Sequence, residues 1–126
     1  MLLDSQTALW VLDDNPRLGP HARAAIESAP EVWVSAATVW ELTIKAMLGK
    51  LTVPRQLTAR LADQGLSVLD VRGEHAEALF EFPELIRHDP FDRLIVAQAG
   101  TERIPLLTAD AVLLALGRDF ILDSTR

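Results

Sequence analysis

The fold is decided by the first strand–helix unit of the chain, residues 1–12, which read MLLDSQTALWVL. The apolar start, Met1 to Leu3, predicts a short buried strand that runs directly into Asp4. From Ser5 to Asp13 the apolar residues follow the spacing of an amphipathic helix. The unit therefore predicts a strand that delivers one carboxylate to the beginning of a helix.

The same order of elements recurs along the chain. Val32 to Val34 predicts a second strand, followed by Ser35 as helix N-cap and a helix from Ala36 to Leu48 that ends at Gly49. The remaining helices are expected over residues 20–28, 54–64, 74–82, 91–102 and 109–116, and the remaining strands over 67–71, 104–107 and 120–122. Strands separated by helices predict an α/β fold of three layers, α/β/α, with a central, mostly parallel sheet. We expect a single domain over residues 1–126.

This order of elements is expected to place four acidic residues at one edge of the predicted sheet. They are Asp4, Glu41, Asp92 and Asp110. Asp4 and Asp110 directly follow strands, Asp92 lies in the first turn of a helix, and Glu41 reaches the edge if its helix packs beside it. Ligands of parallel sheets bind beyond the carboxyl ends of the strands. Gathered carboxylates repel one another, and a hard divalent cation such as Mg²⁺ or Mn²⁺ neutralises them. The pattern indicates a metal-dependent hydrolase of phosphodiesters.

Each acid also has a structural interpretation. Asp4 can cap the first helix, and Glu41 can form a surface salt bridge with Lys45 four residues on. In the segment Asp89-Pro90-Phe91-Asp92, the first residue suits the N-cap and Asp92 falls at the third helical position. Thr108 suits the N-cap of the helix that contains Asp110. We assign Asp89 mainly to capping, whereas four acids at one edge favour a shared function.

Composition narrows the classes of function. The chain has 18 Asp and Glu against 12 Lys and Arg, which argues against binding nucleic acid through overall charge. It has no cysteine, so no disulfide or thiolate site is available. No apolar run predicts a membrane span or a signal peptide, and we expect a cytoplasmic protein.

Other residue types give weaker signals. His21, His75 and His88 lack zinc-site spacing and are interpreted as surface or capping residues. The three tryptophans lie on apolar faces, which predicts core packing for Trp10, Trp33 and Trp40.

Four segments resemble the PIN-domain ribonucleases, more narrowly the VapC-type toxins of bacterial toxin–antitoxin pairs. They are Leu2-Leu3-Asp4-Ser5, the segment SAATVWE at 35–41, HDPFDRLIVAQA at 88–99, and LLTAD at 106–110. The third is the most specific, and the four occur in the family's order over nearly the whole chain.

The resemblance implies a PIN-like fold and Mg²⁺- or Mn²⁺-dependent cleavage of RNA. It implies that Asp4, Glu41, Asp92 and Asp110 are the catalytic and metal-binding acids. Ser5 replaces the threonine of many relatives, and its hydroxyl is expected at the metal site or its substrate. Arg93, together with Arg87 and Lys45, is a candidate phosphate contact. Because His88 directly adjoins Asp89, unlike the histidine of many relatives, we assign it no catalytic role from the sequence and leave its role open.

The resemblance also implies a cognate antitoxin and a homodimer, and the acidic net charge suits a basic partner. The alternative from a different class is a non-catalytic PIN-fold module that binds proteins through apolar helix faces. A phosphoacceptor domain of the response-regulator kind is set aside, because no second acid follows Asp4 and no lysine follows Lys50.

Overall fold

A computed structural model describes residues 1–126 and contains one five-stranded sheet. Its strands are β1 (Leu2–Leu3), β2 (Trp33–Ser35), β3 (Ser67–Leu69), β4 (Leu106–Thr108) and β5 (Ile121–Asp123). Their order across the sheet is β3-β2-β1-β4-β5, and every neighbouring pair is parallel. The predicted α/β class and parallel sheet are confirmed.

Seven helices connect and cover the strands. They are α1 (Ser5–Leu12), α2 (Pro20–Ser28), α3 (Ala36–Met47), α4 (Leu57–Asp63), α5 (Gly73–Glu77), α6 (Pro90–Glu102) and α7 (Ala111–Leu114). Two 3₁₀ turns, Ala78–Glu81 and Pro83–Leu85, lie between α5 and α6.

Alternating side chains of the central strands produce the three layers. Leu3 and Leu107 belong to a buried cluster with residues of α1, α2, α3 and α4. Leu2 and Leu106 belong to a second buried cluster, which contains residues of α6 and α7. Successive strand residues point to opposite faces of a sheet, so each central strand contributes to both cores and the predicted α/β/α layering is confirmed.

The order of the strands places a crevice beside β1. The chain builds β1, β2 and β3 towards one edge of the sheet, then returns to add β4 and β5 on the other side of β1. The connections leave the carboxyl ends of β1 and β4 in opposite directions, which opens a crevice there. Asp4 follows β1 and its backbone N–H donates to the carbonyl of Leu107 in β4 at 3.0 Å. The first predicted acid is thus fixed at this crevice.

Several predicted boundaries were wrong. The helix predicted from Pro54 begins at Leu57, and the helix predicted over residues 74–82 ends at Glu77 and continues as a 3₁₀ turn. The helix predicted from Ala109 begins at Ala111. Proline and capping residues mark where a helix can begin, whereas packing decides which turn is kept.

Candidate metal centre

A cavity of about 710 Å³ opens at the crevice between β1 and β4. The four predicted acids all line it, and Asp89 adds a fifth carboxylate. Its other polar lining residues are Ser5, Gln6, Lys45, Lys50 and His88. The fold thus brings acids from distant parts of the chain into one pocket, as the sequence predicted.

Asp4 is both a helix cap and a lining residue. Its Oδ1 accepts from the backbone N–H of Thr7 at 2.8 Å, which caps α1, and its Oδ2 accepts from the hydroxyl of Thr108 at 2.5 Å. The residue is only 5% exposed. Burial raises the pKa of its carboxyl, although the hydrogen bonds from Thr108 and Thr7 oppose the shift. Asp4 can therefore cap α1 and line the pocket at the same time.

Thr108 connects Asp4 to Asp110. Its hydroxyl donates to Asp4 and accepts from the backbone N–H of Asp110 at 3.0 Å. Thr108 was predicted as the N-cap of α7, which was wrong: Asp110 caps it, with Oδ1 accepting from Val112 and Leu113 N–H at 2.8 and 3.2 Å. The hydroxyl of Thr108 instead links the end of β4 to Asp4, which follows β1. This leaves Oδ2 of Asp110 directed to the pocket.

Glu41 is buried in α3, with 6% of its surface exposed. The Ser5 hydroxyl donates to its Oε1, and Lys45 Nζ donates to its Oε2 at 3.0 Å. The hydrogen bond to Glu41 raises the pKa of Lys45. The ion pair of Glu41 with Lys45 forms as the structural interpretation had it, but Glu41 is buried and held from both sides, so the pair does not lie on an open surface. Ser5, expected at the metal or substrate, lies at the pocket and positions Glu41.

Asp89 and Asp92 begin α6. Oδ1 of Asp89 accepts from the N–H groups of Phe91 and Asp92 at 2.9 and 3.2 Å, so its predicted capping role is confirmed. The pKa of Asp92 is raised to about 6, first by burial and then by the charges of Asp89, Asp110 and Glu41. From the sequence, the carboxylates were expected to repel one another, and burial is the larger cause of the shift in pKa.

His88 is closer to the acids than the sequence interpretation allowed. Its Nε2 lies 3.2 Å from Oδ2 of Asp92 and 3.9 Å from Oδ2 of Asp110. One ligand atom from each of these three residues lies within 4.8 Å of the others. The interpretation of His88 as a simple surface or capping residue was wrong. Its position four residues before Asp92 was the available signal, but Asp110 comes near only through the fold.

The other two histidines are a capping residue and a surface residue, as the sequence analysis expected. His75 is fully buried, and its Nδ1 accepts from the backbone N–H of Arg72 at 2.9 Å, which caps α5. His21 is exposed on α2.

The two predicted arginines do not line the pocket. Nη1 of Arg93 donates to the carbonyl of Ile86 at 3.0 Å, and Arg87 is exposed outside the cavity. The lining cations are Lys45, which was predicted, and Lys50, which was missed. Lys50 follows the end of α3 and gave no local signal for its position.

The three tryptophans differ in how deeply they are buried. Trp10 is 5% exposed and packs in the core as predicted, and Trp33 is partly buried. The prediction was wrong for Trp40, which is 64% exposed with its ring in edge contact with Phe91 at 5.6 Å between centroids. Trp40 follows the apolar pattern of α3, but its side of the helix meets only the beginning of α6.

The pocket suits a hard divalent cation. Its donors are carboxylate oxygens with one imidazole nitrogen, and oxygen ligands are those that Mg²⁺ and Mn²⁺ take. Two lysines face five carboxylates, and Lys45 is already bonded to Glu41. Burial raises the pKa of the carboxyl groups of Asp4, which is buried, and Asp92, which is half-buried, and a positive charge in the pocket would stabilise their ionised forms.

None of the helices combines the length and apolar character needed to cross a membrane.

Comparison with known proteins gives one family and several similar folds. A PIN domain family model matches residues 1–118. No match is found among curated proteins.

Three solved structures resemble the chain over nearly its whole length. A toxin–antitoxin complex from Klebsiella pneumoniae is 18% identical, covers 96% of this chain and 94% of its own, and has a TM-score of 0.65. VapBC2 from Rickettsia felis, bound to a DNA fragment from its promoter, is 15% identical with coverage of 97% and 96% and a TM-score of 0.69. DNA-bound VapBC from Salmonella typhimurium is 22% identical with coverage of 97% and 96% and a TM-score of 0.66. At these identities the likeness is one of fold.

Proposed function

This chain belongs to the PIN domain family, and we propose that it is a Mg²⁺- or Mn²⁺-dependent endoribonuclease that acts as the toxin of a toxin–antitoxin pair. PIN domains are in general nucleases, which supports hydrolysis of nucleic acid. The observation that carries the proposal is the convergence of Asp4, Glu41, Asp92 and Asp110 on one cavity at the sheet crevice.

The metal ion is assigned to these four carboxylates. When bound, it supplies Lewis-acid chemistry, since it draws charge from a phosphoryl oxygen and makes a water easier to deprotonate. Asp4 and Glu41 are held by fixed donors, so their oxygens keep their positions without a ligand. Such preorganised ligands lower the cost of reorganisation during the reaction.

Each remaining lining residue has a separate role. Ser5 and Lys45 orient Glu41 from its two oxygens. Lys50 supplies the free positive charge at the pocket and is the best-placed contact for a substrate phosphate. We keep Arg93 as a weaker candidate, because its guanidinium already bonds to a carbonyl.

The partner is proposed to be an antitoxin. The similar solved structures are toxin–antitoxin complexes, and the resemblance implies an antitoxin segment that lies over the helices. A basic side chain of such a segment would be attracted by the five carboxylates of the cavity. We place the protein in the cytoplasm, where RNA is its substrate.

The resemblance also implies a homodimer. Sedimentation of the purified chain at micromolar concentration measures this directly. A single monomeric species would contradict it.

The proposed activity is tested by incubating the purified protein with total cellular RNA and mapping new ends. Mg²⁺ or Mn²⁺ is expected to give internal cuts, and a chelator to remove them. Asp4→Asn is expected to abolish cleavage, whereas Asp119→Asn, at an exposed residue of the turn before β5, is the matched control.

Two results would contradict the proposal. Full cleavage by the Asp4→Asn protein would remove Asp4 from the site. Absence of cleavage with every divalent ion would favour the non-catalytic binding module.

A further inference from the structure

His88 and two of the acids form the part of the pocket that is least occupied by hydrogen bonds within the chain. Both oxygens of Asp4 and both oxygens of Glu41 accept hydrogen bonds. By contrast, Asp92 accepts none from the backbone, and Asp110 uses only Oδ1 to cap α7. The Nε2 atom of His88 faces these two carboxylates.

The ring nitrogen of His88 is itself buried and unpaired. Its Nε2 is 3.2 Å from Oδ2 of Asp92, yet the contact lacks the direction of a hydrogen bond, and the nitrogen has no other partner. A buried polar atom without a partner destabilises the folded state. The residue is held in place, because its backbone N–H donates to the carbonyl of Leu85 at 2.9 Å. A ligand in the pocket would give the ring nitrogen the partner that it lacks.

The two separations from the His88 nitrogen fall in the range found between ligands of one ion. Adjacent ligands on an octahedral ion with bonds of about 2.1 Å lie about 3.0 Å apart, and opposite ligands about 4.2 Å apart. The nitrogen lies 3.2 and 3.9 Å from the two carboxylate oxygens. The third separation, between the two carboxylate oxygens, is within 4.8 Å, so the three atoms lie close enough to reach one cation once the side chains adjust.

We propose that His88 is a metal ligand together with Asp92 and Asp110, and that its nitrogen makes the site prefer Mn²⁺ to Mg²⁺. The inference rests on the proposed metal site and adds a nitrogen to the oxygens assigned there. Mg²⁺ demands oxygen ligands and keeps its waters, whereas first-row transition ions accept imidazole nitrogen. An all-oxygen site would lack this preference.

The test measures nitrogen coordination by pulsed electron paramagnetic resonance of the Mn²⁺-loaded protein. The wild-type protein is expected to show ¹⁴N modulation, which changes to the ¹⁵N pattern when histidine is isotopically labelled. His88→Gln should lose the modulation, whereas His21→Gln, at an exposed histidine on α2, should keep it. Calorimetric titration should show that His88→Gln loses more affinity for Mn²⁺ than for Mg²⁺, so that the ratio of the two affinities falls.

The outcomes separate this inference from the proposed function. Wild-type protein that binds Mn²⁺ without nitrogen modulation would overturn the role of His88 and leave the nuclease proposal standing. Equal loss of Mn²⁺ and Mg²⁺ affinity in His88→Gln would overturn the selectivity. A wild-type protein that binds neither ion and cleaves no RNA would overturn the proposed function itself. The wild-type spectrum needs no variant, so a folding defect of His88→Gln does not affect the first result.

Discussion

Replacing Asp92 by asparagine is expected to stabilise the metal-free protein at neutral pH. The pKa of Asp92 is raised from 3.8 to about 6, first by burial and then by neighbouring carboxylates. One pKa unit corresponds to about 1.4 kcal/mol, so ionised Asp92 costs the folded state at most about 3 kcal/mol. Asparagine removes this cost but also the ~0.3–1 kcal/mol that a carboxylate gains in the first turn of a helix. The free energy of unfolding should therefore rise by about 2 kcal/mol.

The direction of the pH dependence follows from the raised pKa. Because the folded-state pKa of Asp92 lies above its unfolded value, the wild-type protein loses stability as the pH rises from about 4 through about 6. The advantage of Asp92→Asn should accordingly be largest above about pH 7 and shrink steadily towards about pH 4.5. Urea denaturation in a chelating buffer measures both proteins across this range, with Asp119→Asn as an exposed control.

Metal ions should reverse the order of stability. A ligand at 100 times its Kd stabilises the folded state by about 2.7 kcal/mol, and only the wild-type protein keeps the full ligand set. The reasoning is refuted if Asp92→Asn is no more stable than the wild type at neutral pH without metal, or if its advantage grows in acid.

Substitutions at four further positions test other parts of the structure. Thr108→Val removes the hydroxyl between Asp4 and the beginning of α7 and should lower the free energy of unfolding by about 1–3 kcal/mol, measured in urea; an unchanged value would show that the bridge is unimportant. Trp10→Ala should cost about 3–5 kcal/mol because the side chain is 5% exposed. Trp40→Ala should cost much less because it is 64% exposed, and equal losses at the two positions would contradict the assigned packing. Asp89→Ala should cost about 0.5–2 kcal/mol through loss of the α6 cap, whereas Asp89→Ser, which keeps a capping oxygen, should restore most of it in the same denaturation assay.

Features set by neighbouring residues were predictable from the sequence. Short apolar runs ending in acids gave the strands, and Asp89-Pro90 gave the cap and first turn of α6. Since parallel strands share one carboxyl edge, three of the acids followed from the order of elements. Glu41 also required α3 to pack beside that edge, and it lines the same cavity. The convergence of Asp4 and Asp110 required only that β1 and β4 be neighbours.

Features set by contacts across the chain were not predictable. Thr108 is a good N-cap residue by local rules, but its hydroxyl donates to Asp4, 104 positions away. His88 lies next to Asp110 only because α6 and α7 both begin at the crevice. The exposure of Trp40 depends on how much of the surface of α3 is covered by the rest of the protein. Helical periodicity shows which face of a helix is the most apolar, but it does not show how wide the buried face is.

The central claim is that separate carboxylates share one divalent cation. It is tested most directly by a crystal grown with Mn²⁺ and measured at the manganese absorption edge. We expect an anomalous peak in the cavity at bonding distance from carboxylate oxygens of Asp92 and Asp110, with Asp4 and Glu41 around it. A well-ordered crystal saturated with Mn²⁺ that shows no peak there, or a peak on another surface, would contradict it.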